Sequence, residues 1–183
     1  MALLNECLMC NTFRWSGEYY KQVRGLAMGQ RLAPVLAVAF MSRIEAPVLD
    51  RTPVLYCRYI DDCFIVSATQ IEMNTCFDLF NQQAEHIKLT REKPTENWLA
   101  FLNVQVNISR GTYHTRWYRK PASKNILVHY SSAHPTSVKK AVVQNMYRTA
   151  IAVSSDGDQK SISVDLANSI ARANGYPLVG KGM

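Results

Sequence analysis

The stretch "YCRYIDDCFIV", residues 56–66, sets Asp61 and Asp62 side by side between runs of β-branched and aromatic residues. Such runs favour extended backbone, so two strands, Val54 to Tyr59 and Cys63 to Val66, are expected around Ile60-Asp61-Asp62. Successive side chains of a strand face opposite ways, so at least one carboxylate must point outward at the sheet's end. Asp is a common turn former. Here the apolar flanks predict a buried hairpin whose acids need a counter-charge, from a metal ion or from a base such as Arg58. Hard divalent cations take oxygen ligands, and phosphoryl transfer uses two of them about 3.5–4 Å apart. One Asp pair is material for such a site without completing it.

Upstream, "GLAMGQRLAPVLAVAFMSRIEAPVLD", residues 25–50, opens on two glycines. Pro34 sits where a first helical turn tolerates proline, and an Ala/Val/Leu-rich helix is expected to run to about Ile44 or beyond. Before it, residues 2–10 read as the end of an apolar helix. Thr12 to Trp15 and Glu18 to Arg24 read as a hairpin turning at Ser16-Gly17. Downstream, Thr69 is placed to cap a helix over 70–85. Strands are expected at 87–91, 98–108 and 112–118, with Arg110-Gly111 turning the last two. A helix from about Thr136 to Val153 follows, and a last one runs to Asn174-Gly175 with Pro177 beyond it. This mixed order of hairpins and helices is an α+β class.

At 183 residues, with 48% hydrophobic and 19% charged side chains, the chain has the composition of a folded globular protein. No apolar run approaches the roughly 20 residues that a membrane helix needs, so no membrane partner is expected. The N-terminus lacks a basic n-region and a small-residue cleavage pattern, which predicts no signal peptide and an intracellular setting, nuclear or cytoplasmic. Five cysteines at irregular spacing disfavour a disulfide framework. Cys7 and Cys10 are half of a zinc knuckle with no second half, and read as buried, inert thiols.

Charge is distributed unevenly. Residues 1–109 hold 10 Lys and Arg against 11 Asp and Glu, whereas residues 110–183 hold 11 against 3. From Asn97 to Ser155 there is no acid, and Trp117, Tyr118, Tyr130 and Tyr147 are interleaved with the bases. Cations neutralise phosphates and aromatic faces stack on bases, so this is the composition of a nucleic-acid surface.

"YIDD" in an apolar hairpin resembles the catalytic hairpin of reverse transcriptases, and "QVRGLAMGQRLAPVLAVAFM" resembles the substrate-contacting segment that precedes it. "WLAFLNVQV", "TRWYRKPASKNILVHYSSAHP" and "NGYP" are similar to segments of the Penelope-like retroelement enzymes, in the same order. The resemblance implies a polymerase palm fragment over 1–118 and a primer-contacting, helical thumb-like region over 119–183. It implies Asp61 and Asp62 as the catalytic, metal-binding carboxylates with Mg2+ or Mn2+. Gly25, Met28, Gly29 and Gln30 would border nucleotide and template, where absent side chains let a base pair approach. Tyr118, Arg119, Lys120, Lys124, Lys139 and Lys140 would lie along the primer. The implied partners are an RNA template, a DNA primer and deoxynucleotide triphosphates, with no protein partner evident. Ala27, Arg31, Ala33 and Asn103 depart from the usual residues, and residues 1–24 carry only Glu6 and Glu18 as acids. The family's first metal-binding Asp is therefore not found, and the expectation is an RNA-directed DNA polymerase fragment, inactive alone. The rival expectations are a non-catalytic nucleic-acid-binding module and a decayed retroelement fragment.

Overall fold

The computed structural model describes residues 2–27 and 29–177. They divide into two compact units, Met1–Arg91 and Glu92–Met183.

In the first unit, α1 (Ala2–Met9) leads into a hairpin of β1 (Thr12–Trp15) and β2 (Glu18–Lys21). Its turn is Ser16-Gly17, both at positive φ, as a two-residue hairpin turn demands. The helix α2 (Ala33–Leu49) has Pro34 in its first turn and continues through Pro47. Next come β3 (Leu55–Tyr59) and β4 (Asp62–Val66), paired antiparallel from Leu55↔Val66 to Tyr59↔Asp62. The helix α3 (Gln70–Gln82) starts at Thr69, whose hydroxyl accepts from the Glu72 amide while the Glu72 carboxylate accepts from the Thr69 amide. This reciprocal box satisfies two otherwise orphaned donors.

The core of this unit lies between α2 and α3. Met41, Ile44, Val48, Cys76 and Phe80 are buried there, with Tyr56 and Ile65 of the hairpin and Ile87 and Leu89 packed around them. Each fully buried side chain of this size contributes about 1.5–3 kcal/mol of hydrophobic stabilisation. The strand expected at 87–91 does not form. The Asn81 side chain takes the place of a neighbouring strand: its Oδ1 accepts from Leu89 N at 2.8 Å, and its Nδ2 donates to Leu89 O at 3.3 Å. A side-chain amide thus satisfies the backbone that alternation alone would assign to a ladder.

In the second unit, β5 (Trp98–Phe101), β6 (Val104–Ser109) and β7 (Thr112–Trp117) form one antiparallel sheet in the order β5-β6-β7. The single strand expected over 98–108 is two strands, because the chain turns at Leu102-Asn103, with Leu102 at φ 55°. Arg110 and Gly111 turn β6 into β7, both at positive φ. Then α4 (Thr136–Ala152) and α5 (Gly157–Ala173) follow, joined by Val153 to Asp156. Trp117 of β7 is buried with Met146 and Ala150 of α4 and Ala167, Ile170 and Ala171 of α5. The whole is α+β, as the element order predicts. Among the described residues no helix is long and apolar enough to cross a membrane.

Candidate metal-binding hairpin and basic surface

The hairpin turn is a tight one, with only Ile60 and Asp61 outside the paired residues. Ile60 has φ 56°, a left-handed conformation that a β-branched residue rarely adopts and that costs roughly 1–3 kcal/mol. Asp62 pairs with Tyr59 and faces outward with it, while Cys63, on the next position, faces the core side. Both aspartates are exposed, and neither is in an ion pair among the described residues.

The hairpin expected to be buried is covered only in part: Phe64 is buried and Tyr56, Cys63 and Ile65 are half-buried, while Leu55, Cys57, Tyr59 and the tip are exposed. Arg58 is not the counter-charge: it is ion-paired with Glu45, a buried residue of α2, and its Nη1 donates to Ile60 O at 3.1 Å. One guanidinium thus ties α2 to the strained turn and leaves both aspartates open to solvent. Deeper in, the Tyr56 ring stacks on Phe80 and its hydroxyl lies 3.4 Å from Cys63 Sγ. Burial, together with that shared contact, pushes the Tyr56 hydroxyl far up, and burial also pushes the Cys63 thiol up.

Two adjacent carboxylates suit a hard divalent cation by donor type but not by donor number. No group of three or more His, Cys, Asp or Glu side chains is gathered to hold a metal ion among the described residues. Cys7 of α1 and Cys10 just beyond it, expected to be buried, are both exposed.

Of the glycine-opened segment, Met28 lies outside the described residues. Gly25 and Gly29 have φ 78° and 87°. A Cβ at Gly29 would meet nothing within 4 Å, so the backbone conformation, not crowding within the unit, is what requires glycine there. Gln30 Nε2 donates to Cys7 O at 2.7 Å, fastening α1 to the approach of α2. Cys7, Phe13, Ala27 and Gln30 border an open cleft of about 480 Å³.

In the second unit the cations fall into two groups. Arg116 stacks 4.0 Å from the Trp98 ring centroid and donates from Nε to Gln105 at 2.9 Å. Arg119 lies over Trp117 and donates to Asn125 Oδ1, and Lys139 donates to Tyr130 O and Ser132 O at 2.9 and 3.1 Å. These three are engaged within their own unit. Lys120, Lys124 and Lys140 are exposed, and Tyr118 is half-buried with its amide donating to Asn103 O.

Of two anchors, Asp156 was not singled out by sequence reasoning, and Asn174 was read only as the end of the last helix. Asp156 caps α5 by accepting from Gln159 N at 2.9 Å, and its Oδ2 meets His114 Nδ1 at 3.0 Å and the Ser155 hydroxyl at 2.7 Å. The Gln159 amide first, then His114 and Ser155, hold its carboxyl down at about 2. Asn174 accepts from Leu127 N and donates to Asn125 O and Ile170 O, while the Tyr176 hydroxyl donates to Val128 O. The signals were present: an Asp before a helix, and an Asn-Gly pair after one.

A stretch of chain free of acids, with aromatic residues beside its cations, is characteristic of proteins that handle nucleic acid. The reverse transcriptase (RNA-dependent DNA polymerase) family matches residues 1–94, more than half of the chain, and the chain belongs to that family. The animal helix-turn-helix domain matches residues 126–179, which contain α4, the turn and α5. Both matches imply nucleic-acid binding, and reverse transcriptases typically use Mg2+. No curated protein and no solved structure matches the chain significantly.

Proposed function

We propose that the chain is part of an RNA-directed DNA polymerase of the Penelope-like kind, with residues 1–118 derived from the palm and 119–183 a thumb-like region. The observation that carries this reading is the pair of exposed aspartates at a braced, strained turn, in a chain of the reverse transcriptase family. Asp61 and Asp62 would contribute oxygen ligands to Mg2+ or Mn2+, Asp61 being the principal one. Further carboxylates, beyond those the described residues gather, would complete the site. Such an ion stabilises charge developing on the transferred phosphoryl group. Gly25, Met28, Gly29 and Gln30 would border template and nucleotide, and Tyr118, Arg119, Lys120, Lys124, Lys139 and Lys140 the primer.

Mn2+ binding, followed by electron paramagnetic resonance, tests the ligands. Weak binding that is lost in Asp61→Asn is expected; equal binding by wild type and variant would remove the hairpin from the metal site. Primer extension with Mg2+ by the 183-residue chain alone is expected to be undetectable. Turnover abolished by Asp61→Ala would overturn that expectation.

A second reading, a non-catalytic nucleic-acid-binding module, is favoured by the helix-turn-helix match and by the lack of a three-ligand cluster among the described residues. It predicts salt-dependent binding that is indifferent to Asp61→Ala.

A further inference from the structure

The two helices of the C-terminal pair are each 17 residues long, yet they expose different chemistry. On α4, Val143, Met146 and Ala150 are buried. The opposite stripe, at steps of four residues, is Lys140, Gln144 and Arg148, flanked by Ser137 and Asn145. All five are exposed, and neither Lys140 nor Arg148 has an ion-pair partner among the described residues. Lys139 does not belong to this stripe, since its ammonium is turned to the carbonyls of Tyr130 and Ser132. On α5, Asp158, Asp165 and Arg172 are exposed at steps of seven residues and share one face, while the exposed Lys160 lies off it, so that face carries more carboxylates than cations.

A phosphate backbone laid along α5 would meet two carboxylates. Laid along α4 it would meet two cations with amide donors between them, in a stretch of chain without acids. At 1.5 Å per residue, Lys140 and Arg148 are separated by about 12 Å along the axis, far enough apart to reach separate phosphates.

In the usual docking of a helix-turn-helix, the second helix enters the groove. We infer that here the roles are exchanged: α4 lies against the nucleic acid, with Lys140 and Arg148 on phosphates and Gln144 and Asn145 donating between them. The second helix, α5, is the support behind it. This inference rests on the nucleic-acid reading above and adds the binding face.

The test is fluorescence anisotropy of the full chain with a labelled RNA–DNA hybrid duplex over a series of salt concentrations. The double variant Lys140→Ala/Arg148→Ala is expected to bind at least about tenfold more weakly at low salt. Its slope of log K against log salt should shrink by about two, since each phosphate contact contributes about 0.9. The charge-matched Lys160→Ala/Arg172→Ala variant should stay within about twofold of wild type. Gln144→Glu, which places a carboxylate mid-stripe, should weaken binding with no change in unfolding midpoint. Loss confined to the α5 variant, or wild-type binding by all three variants, would overturn the exchange of roles while leaving the nucleic-acid reading standing. No binding by wild type at low salt would overturn both.

Discussion

The guanidinium of Arg58 is paired with the carboxylate of Glu45, not with the acids four residues or fewer away in its own hairpin. Both partners are largely buried, with side chains 14% and 7% exposed. Removing one partner strands a buried charge, at a cost of about 3–5 kcal/mol. Glu45→Ala should therefore lower the stability of the unit by that order in denaturant titrations. Joint replacement by Glu45→Leu and Arg58→Met should cost much less, because no charge is left unpaired.

The thiols should differ in reactivity. Cys7, Cys10 and Cys57 are exposed, whereas Cys76 is buried and the Cys63 thiol is pushed up by burial. Only the thiolate is nucleophilic. Iodoacetamide near neutral pH should label the first three rapidly and spare Cys63 and Cys76 in the folded chain, as peptide mass mapping would record. Rapid labelling of Cys63 would contradict the packing of Tyr56 against it.

Acid should loosen the start of α5 within a definite window. The Asp156 carboxyl is depressed from 3.8 to about 2. A depressed carboxyl contributes stability that is fully present above its unfolded value and is lost as pH falls through its folded one. The contribution should fade between about pH 4 and pH 2. Asp156→Asn, which can still cap the helix, should flatten the pH dependence of the unfolding midpoint in that range.

Asn174 is buried and makes side-chain hydrogen bonds to Leu127, Asn125 and Ile170. Asn174→Ala leaves backbone groups without partners, and a loss of about 1–3 kcal/mol is expected. Gly175 has φ 79°, and a Cβ there would sit 2.9 Å from His129 Cε1. Gly175→Ala should destabilise chiefly through backbone strain, since the exposed His129 ring can move aside, measurable as a lowered midpoint in thermal unfolding.

The hairpin around Asp61 and Asp62 was legible because its flanks carry strand-forming residues in an unbroken run, and the α3 cap because Thr69 and Glu72 stand three apart. Turns with glycine, Ser16-Gly17 and Arg110-Gly111, were equally clear. The turn at Leu102-Asn103 was not, because Leu102 adopts a positive φ that its side chain does not advertise. The missing strand at 87–91 was illegible for a different reason: its partner is the amide of Asn81, and periodicity reports only burial. Likewise, Arg58 could be assigned to Glu45 only once α2 and β3 were seen packed together. The engagement of Arg119 and Lys139 within their unit follows from Asn125, Tyr130 and Ser132, neighbours that charge counting ignores.

The bonds from Asn174 and Tyr176 back to residues 125–130 bear on the order in which the chain can be completed during synthesis. The segment between β7 and α4 leaves the ribosome well before the residues that hold it in place. The Leu127 and Tyr130 amides therefore lack their native acceptors until Asn174 has emerged, and the Val128 carbonyl lacks its donor until Tyr176 has. Nascent chains halted short of that point should keep this segment open to proteases, and a few further residues should close it.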